Sequence, residues 1–339
     1  MAPGDKTSRE LLLPLLRDVS RSFYLTLRVL PSGIRPQIGV AYLLARTTDT
    51  IADTGLVPLE QRLAALQALR ERILDRSQTP LDFGQLARHQ GKTAESILLT
   101  KCEASLALLQ GLSPPDQQQV RQVLETITGG QELDLRRFAD ASVSHLVALS
   151  TAAELNDYTY QVAGCVGEFW TRMCRAHLFS TAPLDEAALM ARGVRFGQGL
   201  QLVNILRDLP ADLRQGRCYL PAEELSIAGL KPEALLDPAS ERRLRPVYNG
   251  WLDRAEAHLR AGWAYTNALP LGCVRVRLAC AWPLLIGMET LKLLRTENVL
   301  DPQRRIKVSR GQVRRIRWQS VIYYPWPAAW RRLVPGAEL

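Results

Sequence analysis

Gln201-Leu202-Val203-Asn204-Ile205-Leu206-Arg207-Asp208-Leu209-Pro210-Ala211-Asp212 is the stretch on which the reading of this chain turns. At 3.6 residues per turn, Gln201, Asn204, Asp208 and Asp212 fall along one stripe, while Phe196, Leu200, Val203 and Leu206 supply apolar surface elsewhere on the same helix. The pattern predicts a largely buried helix with one polar face. Carboxylates four residues apart repel by about 0.2–0.5 kcal/mol on a helix surface, so holding Asp208 and Asp212 near apolar neighbours calls for cations. A divalent metal would supply them. A lone Asp pair also fits a solvated helix end, and on its own it would be read that way.

A second pair changes the reading. In Tyr42-Leu43-Leu44-Ala45-Arg46-Thr47-Thr48-Asp49-Thr50-Ile51-Ala52-Asp53, the residues Tyr42, Arg46, Asp49 and Asp53 again step along one helical face. Arg46 precedes one pair by a turn, and Arg207 sits beside the other. Mg²⁺ prefers oxygen ligands, keeps several waters, and binds through one or two carboxylates plus substrate phosphates. Two Asp pairs with adjacent arginines, facing one another, would therefore suit a diphosphate bridged by Mg²⁺.

Composition narrows the classes. The 339 residues can bury a large core, and no linker, low-complexity tract or fixed-period repeat marks a boundary, so one helical domain is expected. Six cysteines without CxxC spacing read as reduced core residues of a cytoplasmic protein, not as a zinc site or disulfide framework. The net charge of +9 rests on 37 arginines and six lysines, a balance that favours anionic substrates or anionic lipid surfaces. The N-terminal residues lack the layout of a signal peptide, and the apolar run near Leu278–Met288 is too short and Pro-interrupted to span a bilayer.

Helical spacing continues through most of the chain: to Leu30, then about Pro36–Asp53, Leu59–Arg76, Ala94–Leu112, Pro115–Phe138, Ser240–Ala268 and Val274–Thr296. Arg21 could reach a phosphate or form an exposed salt bridge. Glu132 and Asp134 read as a solvated face that could also extend a polar lining. In Tyr160-Gln161-Val162-Ala163-Gly164-Cys165-Val166-Gly167, glycine within a helix costs about 1 kcal/mol relative to alanine, so something needs the space. Either helices pack closely there or a groove accepts a long apolar chain; Gly193 and Gly197 pose the same choice. Gln215 to Pro221 reads as a loop returning Arg217 toward the carboxylates. The tail interleaves Trp318, Tyr323, Tyr324, Trp326 and Trp330 with Arg314, Arg315, Arg317, Arg331 and Arg332. It fits a membrane interface or a folded cap equally well.

With these stretches in hand, the chain resembles the head-to-head prenyl synthases of the squalene and phytoene synthase family, and is most like a bacterial squalene synthase. The resemblance runs from Ser20-Arg21-Ser22-Phe23 to Gln312, and its specific parts are Asp49-Thr50-Ile51-Ala52-Asp53, Tyr158 to Gly167, and Asn204 to Asp208 with Asp212 and Arg217. It implies the all-α isoprenoid synthase fold around a central cavity, with residues 1–312 as the catalytic domain and 313–339 as the aromatic, Arg-rich tail. Asp49 and Asp53 resemble one Mg²⁺-binding motif, and Asp208 and Asp212 the other, with Asn204 supporting the metal site. Arg21, Arg46, Arg207 and Arg217 resemble diphosphate-binding arginines, Tyr42 an aromatic lining position, and Tyr160 the tyrosine beside the reacting carbons.

The implied activity is a prenyltransferase reaction of two farnesyl diphosphates through presqualene diphosphate, as in sterol and hopanoid biosynthesis. Hydride from NADPH would then give squalene, and proton loss would give phytoene or dehydrosqualene. Thr48-Asp49-Thr50 resembles the squalene branch. Lys307-Val308-Ser309-Arg310 resembles the basic segment near NADPH, with Ser309 where the family can have Arg, so Lys307 and Arg310 are the expected cofactor contacts. No GxGxxG follows a strand pattern, so a Rossmann site is not expected. A reductant-free synthase of phytoene, dehydrosqualene or presqualene diphosphate is the nearest alternative. A non-catalytic basic helical protein binding membrane or nucleic acid is the distant one, and it leaves both Asp pairs unexplained; no nucleic-acid partner is expected.

Overall fold

The computed structural model describes residues 15–19 and 23–336, so Arg21 lies outside the described residues. The helices are α1 (Phe23–Val29), α2 (Arg35–Ala52), α3 (Leu59–Ile73), α4 (Gly84–Arg88), α5 (Thr93–Thr100), α6 (Cys102–Gln110), α7 (Pro114–Arg137), α8 (Ala152–Thr159), α9 (Cys165–His177), α10 (Glu186–Leu213), α11 (Ala222–Ile227), α12 (Glu241–Ala268), α13 (Val274–Thr296), α14 (Arg310–Tyr323) and α15 (Pro327–Arg331). A π-helical turn, Tyr160–Gly164, joins α8 to α9. Two short strands, β1 (Val147–Ala148) and β2 (Arg217–Cys218), pair in parallel. The protein is all-α, as its spacing predicts.

The long expected helix at Ala94–Leu112 is divided at Lys101. The Thr100 hydroxyl bonds back to the Ile97 carbonyl, a local bond that competes with helix continuation. The chain groups into two compact units: residues 1–136 with 172–180, and residues 137–171 with 181–339. Residues 313–336 belong to the second unit.

In the first unit α2 packs on α3, α5 and α6. Its core side is Leu43, Leu44 and Ile51, against Leu66, Leu69, Ile73 and Leu98, all fully buried. In the second unit α10 lies along α12, and α12 along α13. Leu202 and Leu206 of α10 and the large side chains Tyr248 and Trp251 of α12 are all buried. Pro210 lies within α10, where it cannot donate to the Leu206 carbonyl four residues back. Tyr248 of α12 donates its hydroxyl to that carbonyl at 2.9 Å, so the helix continues through proline with its freed acceptor satisfied.

The six cysteines are free thiols, five of them buried, in keeping with core residues. Among the described residues, no helix is long and apolar enough to cross a membrane.

Candidate functional site

Each Asp pair sits at the C-terminal end of a long helix. Asp49 occupies the last turn of α2 and Asp53 is its C-cap; Asp208 and Asp212 occupy the closing turns of α10. Helix C-termini carry partial negative charge from unpaired carbonyls, so a carboxylate there is disfavoured by about 0.3–1 kcal/mol. Placing two at one end concentrates negative potential. The first pair belongs to the first unit and the second pair to the second unit.

At the first pair, Arg46 lies 3.8 Å from Asp49 and bonds Glu95 of α5 at 2.6 Å. Gln131 of α7 donates a short hydrogen bond to Asp49 Oδ1. Burial and then the neighbouring Asp53 push the Asp49 carboxyl up to about 6, with Arg46 and Gln131 acting the other way. Lys92 and Arg46 hold Glu95 below the usual carboxylate range, against the effect of burial. Arg46 is held more firmly protonated than an ordinary arginine: burial opposes its charge, and Asp49, Glu95 and Asp53 outweigh it. Tyr42, one turn earlier, is half-buried.

At the second pair, Arg207 grips its own neighbour. Its Nε and Nη2 donate to the two oxygens of Asp208 at 2.9 and 2.5 Å, a bidentate arrangement on a half-exposed carboxylate. Asn204 is exposed one turn earlier. After α10 the chain turns at Gly216, whose φ of 81° and close approach to the Ser142 backbone admit no side chain. This turn delivers Arg217 into β2, where its guanidinium lies 6.0 Å from the Phe138 ring centroid. Asp212 is close enough to raise the thiol of Cys218, the residue after Arg217, which burial has already pushed up to about 12. Phe138 meets Tyr219 edge-on at 5.2 Å, and Tyr219 stacks on Tyr158 at 5.0 Å.

Tyr160 opens the π-helical turn and donates its hydroxyl to Glu168 at 3.3 Å. The glycines around it resolve to close packing of helices. A Cβ on Gly197 would lie 2.1 Å from the Ala163 carbonyl oxygen, and one on Gly167 would lie 1.9 Å from that of Gly193. The backbones of α10 and of the π-turn with α9 touch through these positions. π-turns recur at functional sites, and this one sets the placement of Tyr160.

One other expectation is corrected. Glu132 and Asp134 are not on a solvated face: Asp134 is buried, and Glu132, 19% exposed, lies 3.9 Å from Arg70. Lys307 and Arg310 are exposed, the first in an irregular segment and the second at the start of α14. Ser309 between them is the N-cap of α14, in a reciprocal capping box with Gln312. Glu95 and Gln131, which meet Arg46 and Asp49, and the Phe138–Tyr219–Tyr158 cluster carry no local signal, because these contacts join residues far apart in sequence. The capping box was readable as Ser-x-x-Gln.

The residues fit Mg²⁺. Each Asp pair presents carboxylate oxygens at a helix end, the donor type that Mg²⁺ takes alongside water and substrate phosphate. Gln131 Oε1, beside Asp49, is buried with no hydrogen-bond partner among the described residues. At the other pair a guanidinium spans both oxygens of Asp208, as a cation would.

Residues 16–312 match the family described as squalene/phytoene synthase. A Botryococcus squalene synthase from Botryococcus braunii is 27% identical over 82% of this chain and 56% of its own length. The presqualene diphosphate synthase of Rhodopseudomonas palustris is 29% identical over 86% of this chain and 89% of its own. The chain spans about half the length of several curated relatives that it matches. Among solved structures, the complex of TcSQS with the ligand E5700 superposes with a TM-score of 0.76 at 23% identity, covering 92% of this chain and 86% of that one. That likeness shows the shared helical fold.

Proposed function

Because the chain belongs to the squalene/phytoene synthase family, we propose that it is a prenyltransferase joining two farnesyl diphosphates head to head, through presqualene diphosphate, and reducing the product to squalene with NADPH. The observation that carries this reading is the pairing of each Asp couple with its own arginine at a helix end, Arg46 with Asp49 and Arg207 with Asp208. Each helix end then has the groups needed for one diphosphate, and a reaction of two allylic diphosphates needs two.

Asp49 and Asp53 would hold Mg²⁺ at one end, and Asp208 and Asp212, supported by Asn204, at the other. Bound there, Mg²⁺ would neutralise the charge that grows on a departing diphosphate. Arg46, Arg207, Arg217 and Arg21 would bind diphosphate oxygens, guanidinium forks being suited to phosphate. The allylic cation left by the first departure would alkylate the double bond of the second substrate, and loss of a proton to the departed diphosphate would close the cyclopropane; departure of the second diphosphate and hydride from NADPH would then give squalene. Tyr160, whose hydroxyl donates to Glu168, would stand beside the reacting carbons. An aromatic face such as that of Tyr42 would favour carbocations over water. Lys307 and Arg310 would meet the phosphates of NADPH.

A second reading is supported by the capping role of Ser309, which leaves this segment with fewer cationic groups than the squalene branch can carry. It is also supported by the near full-length match to a presqualene diphosphate synthase. In that reading presqualene diphosphate is released. Incubation with farnesyl diphosphate and Mg²⁺, with and without NADPH, separates the two. Squalene formed only with NADPH supports the first reading; presqualene diphosphate accumulating in both supports the second. A better yield from geranylgeranyl diphosphate, with phytoene as product, overturns both.

A further inference from the structure

The C-terminal helices divide the two roles open to the aromatic tail. Their inner side is a cap within the second unit. Trp330 is 2% exposed, stacks on Trp263 at 5.0 Å, and donates to Asn267 at 2.9 Å. Trp282 donates to Ser320, and Tyr324 donates to the Leu271 carbonyl at 2.6 Å. Removing the chain after Gln319 would therefore open the core, and such a truncation cannot report on surface binding alone.

The outer side is different. Trp318 is 68% exposed and Trp326 61%, and between them Val321 and Ile322 are about half exposed. On a helix, Arg314, Arg315, Val321 and Ile322 all fall within about 60° of Trp318, so they form one face of α14. The loop bonded to Tyr324 adds Leu271, 65% exposed. From Pro302 to Ala337 the sequence has nine Arg and Lys and no Asp or Glu. A lone exposed apolar residue needs no explanation, but three on one helix face, followed closely by exposed Trp326 and adjoined through Tyr324 by exposed Leu271, mark an interaction site.

We propose that this face of α14, with Trp326 and Leu271, docks on the headgroup region of an anionic phospholipid membrane. Tryptophan rings prefer the depth of the lipid carbonyls, the aliphatic side chains enter just below, and Arg314 and Arg315 meet lipid phosphate. A nucleic acid would use the arginines but gives no place for Val321, Ile322 and Leu271. A second copy of this chain would carry the same excess of positive charge on the same face, so charge repulsion opposes self-association there. The inference is independent of the reaction catalysed.

The test is flotation of the full chain with phosphatidylcholine vesicles, with and without phosphatidylglycerol, and with a DNA duplex in a parallel arm. The proposal expects binding to the phosphatidylglycerol vesicles and a blue shift of tryptophan emission. The double variant Trp318→Ser/Trp326→Ser should weaken that binding by about tenfold or more. Arg314→Glu/Arg315→Glu should weaken it by at least about fivefold for each charge, with less effect in high salt. All four side chains are exposed, and an unchanged thermal melt verifies folding. Absence of vesicle binding by the wild type overturns the proposal. So does vesicle binding indifferent to both double variants, or DNA binding that persists where vesicle binding fails.

Discussion

Gly197→Ala tests whether backbone contact between helices fixes the placement of Tyr160. In an unconstrained helix the substitution would stabilise by about 1 kcal/mol through propensity. Here the new methyl would sit 2.1 Å from the Ala163 carbonyl oxygen and 2.7 Å from its carbon. Ordinary contact begins near 3.4 Å, so α10 and the π-turn would have to separate by more than 1 Å. Overpacking of this kind costs about 1–3 kcal/mol, and contact with backbone offers no rotamer to relieve it. A net loss of about 1–2 kcal/mol is expected from urea denaturation. Gly250→Ala is the internal control: it lies within α12 with nothing within 4 Å of its added carbon, and it should gain up to about 1 kcal/mol. Because the displaced turn begins at Tyr160, Gly197→Ala should also lower kcat more than it raises KM. If Gly197→Ala proves as stable as Gly250→Ala, the close-packing argument fails.

Three further outcomes are expected. Asp49 has a folded-state pKa near 6 against an ordinary 3.8, so metal-free protein should lose stability as pH rises from about 4 to 6. The rise would correspond to about 3 kcal/mol in a dry site, and 47% exposure of the side chain cuts this to about 1. Asp49→Asn should flatten this part of the profile in EDTA, and an unaltered slope would assign the effect to another group. Mg²⁺ with inorganic diphosphate should raise the melting temperature of the wild type, by mass action, and should raise that of Asp208→Asn far less. Equal shifts in both proteins would remove Asp208 from the metal site. Tyr248→Phe should cost about 1–2 kcal/mol by leaving the Leu206 carbonyl beside Pro210 without its donor, and a neutral result in chemical denaturation would mean that this acceptor needs no partner.

Much of the helical pattern was legible because periodicity is a local property. Residues 35–52 and 186–213 declare their buried faces through Leu43, Leu44, Leu202 and Leu206, and both Asp pairs appear in order along them. Partners distant in sequence were not legible. Nothing near Asp49 announces Gln131, 82 residues on, and nothing near Arg46 announces Glu95. Glu132 and Asp134 read as solvated because a charged pair carries no local sign of burial; packing buries Asp134 and sets Glu132 3.9 Å from Arg70. The glycines at 167, 193 and 197 flagged a need for room, and only distances could tell a groove from two backbones in contact. Ser309 was weighed as a missing arginine, although its spacing to Gln312 already spelled a helix start.

On the proposed function, the position of Asp49, Asp53, Asp208 and Asp212 on closing turns would tie turnover to durability. The cation that readies a leaving group would also act as a clasp on two helix ends, quieting fraying that exposed carbonyls and acids otherwise promote. Cells short of magnesium would then hold an enzyme that is both idle and more readily cut by proteases, so supply of the ion would govern how long the protein lasts as well as how fast it works.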